Sequence, residues 1–143
     1  MRGVLVPIDP NNPERTRSAV TEAIRIHRDE PSVAIRLVRV QPRVSGHVAM
    51  FFGTRELQQL QQSAGAEDLQ LAQRLLDGAG VPSTSTVLVG RSAETIAKAA
   101  RDFGCNRILF GEEGPGLAGK MFGTLAQQVR QLLAPGEFQV IGS

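Results

Sequence analysis

Residues 107–126 read RILFGEEGPGLAGKMFGTLA, and this stretch decides how the chain is organised. The apolar run 108–110 predicts a strand that stops at Gly111, and Thr124 is the predicted N-cap of the following helix. Between them lies a glycine-rich loop. Glycines let backbone N–H groups approach a ligand, and a helix N-terminus adds unpaired N–H groups and a partial positive charge. The stretch therefore fits an anion site, although a long connection that only needs turn residues would have the same composition.

The size and composition of the chain limit the classes of protein to consider. Its 143 residues suit a single domain, residues 1–143, that buries about two thirds of its unfolded surface. No apolar run reaches the roughly 18 residues of a membrane span and no leader precedes the first strand, so we expect a cytoplasmic protein without a membrane partner. Cys105 has no cysteine partner, and His27 and His47 lack metal-ligand spacing, so neither a disulfide nor a metal site is expected.

The charge pattern gives no support for a nucleic-acid partner. The formal net charge is only +2, and the arginines are scattered along the chain instead of forming a stripe. The aromatic platforms that single-strand binding favours are not interleaved with them. We therefore expect no nucleic-acid partner.

Apolar periodicity predicts strands that alternate with helices. Predicted strands cover 3–9, 32–41, 83–89, 108–110 and 138–141. Pro7 should mark the carboxyl end of the first strand, because it cannot donate a ladder hydrogen bond. Helices are predicted after the Asn12 cap with Pro13 at the first helical position, over 55–77, after the Ser92 cap, and after Thr124.

The buried face of each helix also follows from periodicity. In the first helix the predicted inner residues are Ala19, Val20, Ala23, Ile24 and His27. In the long second helix they are Leu57, Leu60, Ala64, Leu71, Ala72 and Leu75. In the third they are Ile96, Ala97, Ala100 and Phe103, and in the last they are Leu125, Ala126, Val129, Leu132 and Leu133. The segment 42–54 has no clear period, and its Phe51 and Phe52 could form a lid, form an association patch or tuck under the next helix.

The βαβαβαβαβ order defines the fold class. It predicts an α/β, single-domain, open five-stranded parallel sheet of Rossmann-like type with helices on both faces. Ligands of such sheets bind at the carboxyl ends of the strands, near the point where the strand order reverses. Asp9 and the glycine loop both fall on that edge.

No catalytic constellation is visible, so an enzyme is not expected. His27 ends a helix, His47 lies in an irregular segment, and Cys105 follows a glycine stop without a base nearby in the sequence. We predict no catalytic residues. Slow turnover of a bound ligand would be compatible with this sequence, but efficient catalysis would not.

Over nearly its whole length the chain resembles the universal stress protein family. The resemblance rests on the run Val4 to Asp9, on Val87-Leu88-Val89-Gly90 before a helix, and on Gly111-x-x-Gly114 followed by Gly123-Thr124. It implies a five-stranded sheet, a homodimer in which the last strand or its neighbourhood pairs across the interface, and in one branch a bound ATP. For the ATP hypothesis we expect Mg²⁺ to accompany the nucleotide. By the same resemblance Asp9 and Val40 would hold the adenosine end, and the glycine motif would wrap the ribose and phosphates. The predicted cofactor-binding residues are Pro7, Asp9, Val40, Gly111, Gly114, Gly123 and Thr124.

The sequence departs from the ATP-binding pattern at three places. Eight residues, 115–122, separate Gly114 from Gly123 where the binding branch has nine. Glu112 and Glu113 occupy the loop, and a carboxylate about 4 Å from a phosphate charge costs about 1 kcal/mol in water and about 4 kcal/mol at an effective dielectric of 20. Pro10-Asn11-Asn12 replaces the usual Gly-Ser after Asp9. Two hypotheses therefore stay open: an ATP-binding regulatory protein, and a dimeric interaction module of the same fold that acts through protein partners without nucleotide.

Overall fold

The computed structural model describes residues 3–43, 53–111, 117–134 and 136–142, with only the backbone described over 117–124. The strands are β1 (Gly3–Pro7), β2 (Ala34–Gln41), β3 (Ser83–Val89), β4 (Cys105–Gly111) and β5 (Gln139–Gly142). The helices are α1 (Pro13–Asp29), α2 (Thr54–Gly78), α3 (Ser92–Asp102) and α4 (Leu117–Leu132). The predicted roles of Phe51 and Phe52 fall outside the described residues.

The five strands form one parallel sheet in the order β3-β2-β1-β4-β5. The chain moves outward from β1 through β2 to β3, then returns to the other side of β1 for β4 and β5. The strand order therefore reverses between β1 and β4, and the carboxyl ends of these two strands flank the crevice where such folds bind ligands. The predicted fold class is confirmed.

Helices cover both faces of the sheet and bury two apolar layers. On one face α1 and α2 pack on Val4, Val6, Ile35 and Leu37. On the other face α3 and α4 pack on Leu5, Val38, Ile108 and Phe110. Because alternate residues of a strand point to opposite faces, a central strand covered on both sides has to be apolar throughout, as β1 is.

The first helix begins as predicted, with Pro13 as its first residue and the Asn12 side chain as its cap. Its buried face differs in detail from the predicted one. Ala19, Val20 and Ala23 are buried as expected, but Ile26 is buried where Ile24 and His27 were predicted. At α3 the predicted Ser92 cap is wrong by one residue, since Arg91 occupies the N-cap position and provides no side-chain hydrogen bond.

The predicted inner face of α2 is wrong in its first half. Leu60 is 54% exposed, and the buried stripe consists of Gly65, Leu69, Ala72 and Leu76. The cause is length: 25 residues of helix span about 37 Å, whereas the seven residues of β3 span about 23 Å. The first turns of α2 therefore extend past the sheet, and periodicity alone cannot show where contact with the sheet begins.

The last helix begins earlier than predicted. Helix α4 starts at Leu117, so Thr124 is not its cap, and Gly119 and Gly123 lie inside the helix. Leucine or methionine recurs every four residues at 117, 121 and 125, a helical spacing that continues through the glycines. Ala126, Val129 and Leu133 are buried as predicted, but Leu132 is 42% exposed.

Gly65 is required by close packing of α2 on β3. A Cβ at Gly65 would lie 2.5 Å from Cγ1 of Val87, which is shorter than real carbon contacts allow. We expect Gly65→Ala to lower the free energy of unfolding by about 1–2 kcal/mol, because overpacking outweighs the helix propensity that alanine gains. Urea denaturation followed by circular dichroism measures this change.

Two variants control that measurement. A Cβ at Gly78, the last residue of the same helix, would meet nothing within 4 Å, so Gly78→Ala should be neutral or slightly stabilising. Gly65→Ala combined with Val87→Ala should recover part of the loss, since the shorter partner removes the clash. A Gly65→Ala variant as stable as the parent protein would contradict the packing argument.

Candidate functional site

The turn after β1 fixes Asp9 at the carboxyl edge of the sheet. The backbone N–H of Ile8 donates to the Val38 carbonyl at 2.9 Å, so pairing with β2 continues beyond Pro7. Asp9 is only 7% exposed, and its Oδ1 accepts a hydrogen bond from the Asn11 N–H at 3.0 Å. The Asp9 carbonyl accepts from the Asn12 N–H at 3.2 Å. This geometry is an Asx turn, which holds the carboxylate in place despite the missing Gly-Ser.

Val40 lies next to this turn, on the neighbouring strand. It is the penultimate residue of β2 and is 5% exposed. The preceding Arg39 pairs with Asp68 of α2 at 2.9 Å and donates to the Val40 carbonyl. Val40 lines a cavity of about 30 Å³ together with Pro7, Ile8, Val38, Arg39, Ser92, Ile96 and Leu125. The end of β2 is therefore held by α2 on one face and closed by α3 and α4 on the other.

Gly111 ends β4 in a backbone conformation that favours glycine. Its φ is +76°, and a Cβ at this position would lie 2.4 Å from the carbonyl oxygen of Arg15. Nη1 of Arg15 donates to the carbonyl oxygens of Phe110 at 3.3 Å and Gly111 at 3.1 Å. The point where the glycine loop leaves the sheet is thus pressed against α1 and tied to it.

The structure brings four of the seven predicted site residues together. Pro7 is the last residue of β1 and Asp9 lies two residues beyond it, Val40 is the penultimate residue of β2, and Gly111 is the last residue of β4. The three strands are adjacent in the sheet. Gly114 lies outside the described residues. Gly123 and Thr124 lie in the second turn of α4, so the prediction that they mark its N-terminus is wrong. Their contact with a ligand stays a prediction.

Arg15 was not among the predicted site residues, although its position in the sequence carried a signal. It lies four residues before Ala19 and eight before Ala23, both on the buried face of α1. Helical periodicity therefore places Arg15 on the same face. Arginine is seldom fully buried, so the residue type alone gives no indication of this position.

The described residues also include groups that could bind a metal or act as a nucleophile. Among the residues that the structure describes, no group of three or more His, Cys, Asp or Glu side chains is arranged to hold a metal ion. Cys105 begins β4 at the opposite edge of the sheet, and burial raises the pKa of its thiol, although the nearby Arg36 opposes this effect. The thiol form is favoured, so Cys105 is a buried structural residue.

A larger groove lies away from the predicted site. Its volume is about 710 Å³, and it runs between the outer strand β3 and α3, where Leu88, Gly90, Thr95 and Phe103 line it. Pro7, Asp9, Val40 and Gly111, the predicted site residues that the structure fully describes, do not line this groove. Over the described residues, no helix is long and apolar enough to cross a membrane.

The fold and the carboxyl-edge site define a doubly wound α/β domain with a glycine loop at its switch point. The sequence model of the universal stress protein family matches residues 1–133. The chain therefore belongs to the universal stress protein family. No curated protein matches it significantly.

Solved structures from several different organisms have the same fold. The universal stress protein of Archaeoglobus fulgidus in complex with dAMP is 19% identical, with a TM-score of 0.67 over 99% of this chain and 97% of that one. A universal stress protein family protein of Arabidopsis thaliana with AMP bound is 17% identical, with a TM-score of 0.63 over 99% and 90%. The universal stress protein UspA of Lactobacillus plantarum is 17% identical, with a TM-score of 0.70 over 99% and 96%. At these identities the likeness establishes the fold.

The contact between Gly111 and Arg15 predicts an unusually costly substitution. Gly111→Ala would combine an unfavourable positive φ, worth about 1–2 kcal/mol, with a backbone clash worth about 1–3 kcal/mol. Gly136 also has a positive φ, +88°, but a Cβ there would meet nothing within 4 Å. Gly136→Ala therefore isolates the conformational cost alone. Urea denaturation should show the larger loss for Gly111→Ala, and equal losses would contradict the close approach.

Proposed function

We propose that this protein binds ATP, together with Mg²⁺, at the carboxyl edge of its sheet and acts as a cytoplasmic regulatory protein in stress responses without efficient catalysis. The observation that carries the proposal is the convergence of Pro7, Asp9, Val40 and Gly111 on three adjacent strand ends. This is the place where parallel α/β sheets bind ligands. Binding of ATP would alter the surface that the domain presents to protein partners.

The residues at this edge fit the two ends of a nucleotide. A carboxylate has two oxygens and about four acceptor positions, so Asp9 can keep its bond from the Asn11 N–H and still accept from ribose hydroxyls. The apolar Val40 and Pro7 beside it suit the adenosine end. Gly111, with its positive φ, starts the glycine loop on the phosphate side. The Mg²⁺ would be bound through the phosphate oxygens, as is usual for nucleotide sites.

The bound ligands of structural neighbours support the nucleotide class. The A. fulgidus protein was solved with dAMP and the A. thaliana protein with AMP, and another universal stress protein with a TM-score of 0.68 was solved in complex with cAMP. All three ligands share adenine, a sugar and phosphate. We therefore take an adenine nucleotide as the ligand class and ATP as the particular ligand.

A second candidate function is a nucleotide-free interaction module of the same fold. One structural observation favours it: the cavity beside Val40, among the described residues, has about 30 Å³, whereas ligand pockets usually have about 300–1,000 Å³. The shortened glycine loop and its two glutamates also favour this second candidate function. In that case the protein would act only through its partner-binding surfaces.

ATP with Mg²⁺ should raise the thermal unfolding midpoint of nucleotide-stripped protein by several degrees, because a ligand at 100 times its dissociation constant adds about 2.7 kcal/mol. GTP with Mg²⁺ serves as the nucleotide control. Asp9→Asn should lose most of the ATP shift, since the amide oxygen can still accept from the Asn11 N–H but the charge that attracts the ribose hydroxyls is gone. Differential scanning fluorimetry measures each midpoint.

Glu14→Gln is the matched control for Asp9→Asn, because it removes an exposed carboxylate five residues along the same segment. It should keep the full ATP shift. If no nucleotide moves the midpoint of the parent protein, the interaction module becomes the better description.

We also propose that the protein forms a homodimer through β5. This strand ends the sheet, so no other strand of the described residues pairs with its outer edge. Its half-buried Val140 and Ile141 are apolar, whereas the opposite edge strand β3 begins Ser83-Thr84-Ser85-Thr86. Grooves of about 360 Å³ flank β5 on both faces, with Ile141 in one and Val140 in the other. An apolar edge with a groove on each face suits pairing with a second copy.

Size-exclusion chromatography with light scattering should give twice the mass of one chain. Ile141→Lys should shift the protein towards the monomer, because a charged side chain on an edge strand opposes edge-to-edge pairing. Gln58→Lys adds the same charge at an exposed position of α2 and should leave the dimer intact. A monomeric parent protein would contradict the dimer, and a dimeric Ile141→Lys variant would contradict its placement on β5.

A further inference from the structure

The edge strand β3 has none of the features that usually protect an exposed sheet edge. Natural proteins shield such edges with charged side chains, proline, a β-bulge or a very short strand. Ser83–Val89 contains no charged residue and no proline, and all seven residues pair with β2 in one continuous register. Among the described residues, no further strand pairs with the outer edge of β3. This edge is therefore open to the addition of another strand.

Two hydrogen bonds show which backbone groups of β3 face outward. The Gly90 N–H donates to the Gln41 carbonyl of β2 at 3.0 Å, so the even-numbered residues of β3 direct their backbone groups towards β2. The odd-numbered residues, among them Ser85 and Val87, direct theirs outward, because strand residues alternate in direction. In agreement, the Val87 carbonyl accepts from the exposed side chain of Gln62 at 3.4 Å. A partner strand would find donors and acceptors at every second residue.

The groove of about 710 Å³ lies beside this edge, between β3 and α3. Leu88, which packs with the apolar layer under α3, and Phe103, at the end of α3, give the groove apolar surface. Because side chains of a strand alternate between the two faces of a sheet, an added strand would direct every second side chain over this groove. The outer edge of Ser83–Val89 and the groove thus form one binding surface, which we call the β3 surface.

The charges of the groove indicate the chemistry of its partner. Arg43 and Arg91 lie two residues beyond the ends of the paired strands β2 and β3, so both belong to the same end of the groove, and both are exposed. Lys98 pairs with Asp102 at 2.6 Å. Among the described lining residues, this pairing leaves Glu94 as the carboxylate that opposes two arginines. The excess positive charge favours a partner with acidic side chains at this end.

We propose that the β3 surface binds an extended, acidic segment of a different protein, which adds to the sheet as a further strand beside β3. Such strand addition takes its affinity from main-chain hydrogen bonds and its specificity from the surface beneath alternate side chains. The inference goes beyond the proposed nucleotide site and does not depend on it, because Pro7, Asp9, Val40 and Gly111 do not line the groove.

A different protein suits the β3 surface better than a second copy of this chain. Thr84 and Ser85 are exposed hydroxyl side chains, and polar interfaces are typical of partners that associate reversibly, whereas permanent interfaces are more apolar. Pairing of copies through β3, in addition to the proposed pairing through β5, would also add subunits without closing the assembly.

Fluorescence polarisation with designed peptides tests the proposal on the full-length protein. The labelled acidic probe alternates valine and threonine and carries glutamates at both ends, and the basic probe carries lysines in place of the glutamates. The acidic probe should bind about tenfold more tightly than the basic probe, the combined effect of a few exposed ion pairs. Methylation of alternate backbone nitrogens of the acidic probe should abolish binding, because it removes the N–H groups that would donate to β3.

A substitution in β3 tests the same hydrogen bonds from the side of the protein. Ser85→Pro removes an outward N–H at a position where an edge strand tolerates proline, so it should abolish binding of the acidic probe. Ser85→Ala is the matched control, because it removes the hydroxyl and keeps the N–H, and it should bind the probe normally. Circular dichroism shows whether each variant is folded. If Ser85→Pro is not, the methylated probe alone tests the backbone pairing.

A pair of charge reversals tests the acidic character of the partner. Arg43→Glu combined with Arg91→Glu should weaken the acidic probe about tenfold and should remove its advantage over the basic probe. Arg28→Glu combined with Arg74→Glu is the matched control, since both arginines are exposed and neither lines the groove. This control changes the net charge equally and should leave the advantage of the acidic probe intact.

Several results would overturn the proposal. A dissociation constant above about 1 mM for the acidic probe would do so, as would equal binding of the acidic and basic probes. Binding that survives backbone methylation would place the peptide away from the edge of β3. A lower mass of Ser85→Pro in light scattering would show that β3 pairs with a second copy instead. Loss of binding on methylation, with weaker binding in the variant of Arg43 and Arg91, supports the proposal.

Discussion

The structure depends on the position of β1 at the centre of a parallel sheet. All five of its residues are buried, and it pairs with β2 on one side and β4 on the other. Because every strand is parallel to it, all carboxyl ends meet at one edge. The reversal of strand order beside β1 then opens a crevice at that edge between the ends of β1 and β4. Asp9, two residues after this strand, has its position set by the same constraint.

Some boundaries of strands and helices depend only on a few adjacent residues, and these boundaries were predicted correctly from the sequence. The strand end at Pro7, the Asn12 cap and the β3 boundaries at Ser83 and Val89 all agree with the structure. Each depends on the chemistry of a few adjacent residues: a missing N–H, a side-chain acceptor, a run of β-branched residues. The sequence predicted the fold class but not the strand order β3-β2-β1-β4-β5. Alternating strands and helices predict parallel strands joined by crossovers, but they do not show on which side of β1 each later strand lies.

The wrong predictions share a different cause: whether a residue is buried depends on which element of the fold packs against it. Leu60 has the spacing of a core residue but sits where α2 extends beyond the sheet, and Gly65 is buried because Val87 leaves no room for a side chain. Thr124 looks like a cap because glycines precede it, yet the backbone is already helical at Leu117. Arg15 is the converse case: its periodicity indicated burial and its charge indicated exposure. Periodicity was the better guide there, because the strand-end carbonyls supply hydrogen-bond partners that no sequence window shows.

The candidate ligand site and the proposed dimer edge are linked through Gly111. Opposite β4, Gly142 of β5 has a φ of +97°, and a Cβ there would lie 2.4 Å from the Gly111 carbonyl oxygen. Arg130 of α4 donates to the carbonyls of Val140 at 3.3 Å and Gly142 at 2.7 Å, much as Arg15 holds the end of β4. Two glycines in close backbone contact, each held by an arginine from a covering helix, leave little room for one strand end to move alone. A ligand that shifts the start of the glycine loop would therefore also shift the edge strand. Under the proposed function, this contact would give nucleotide binding a physical route to a change at the dimer edge.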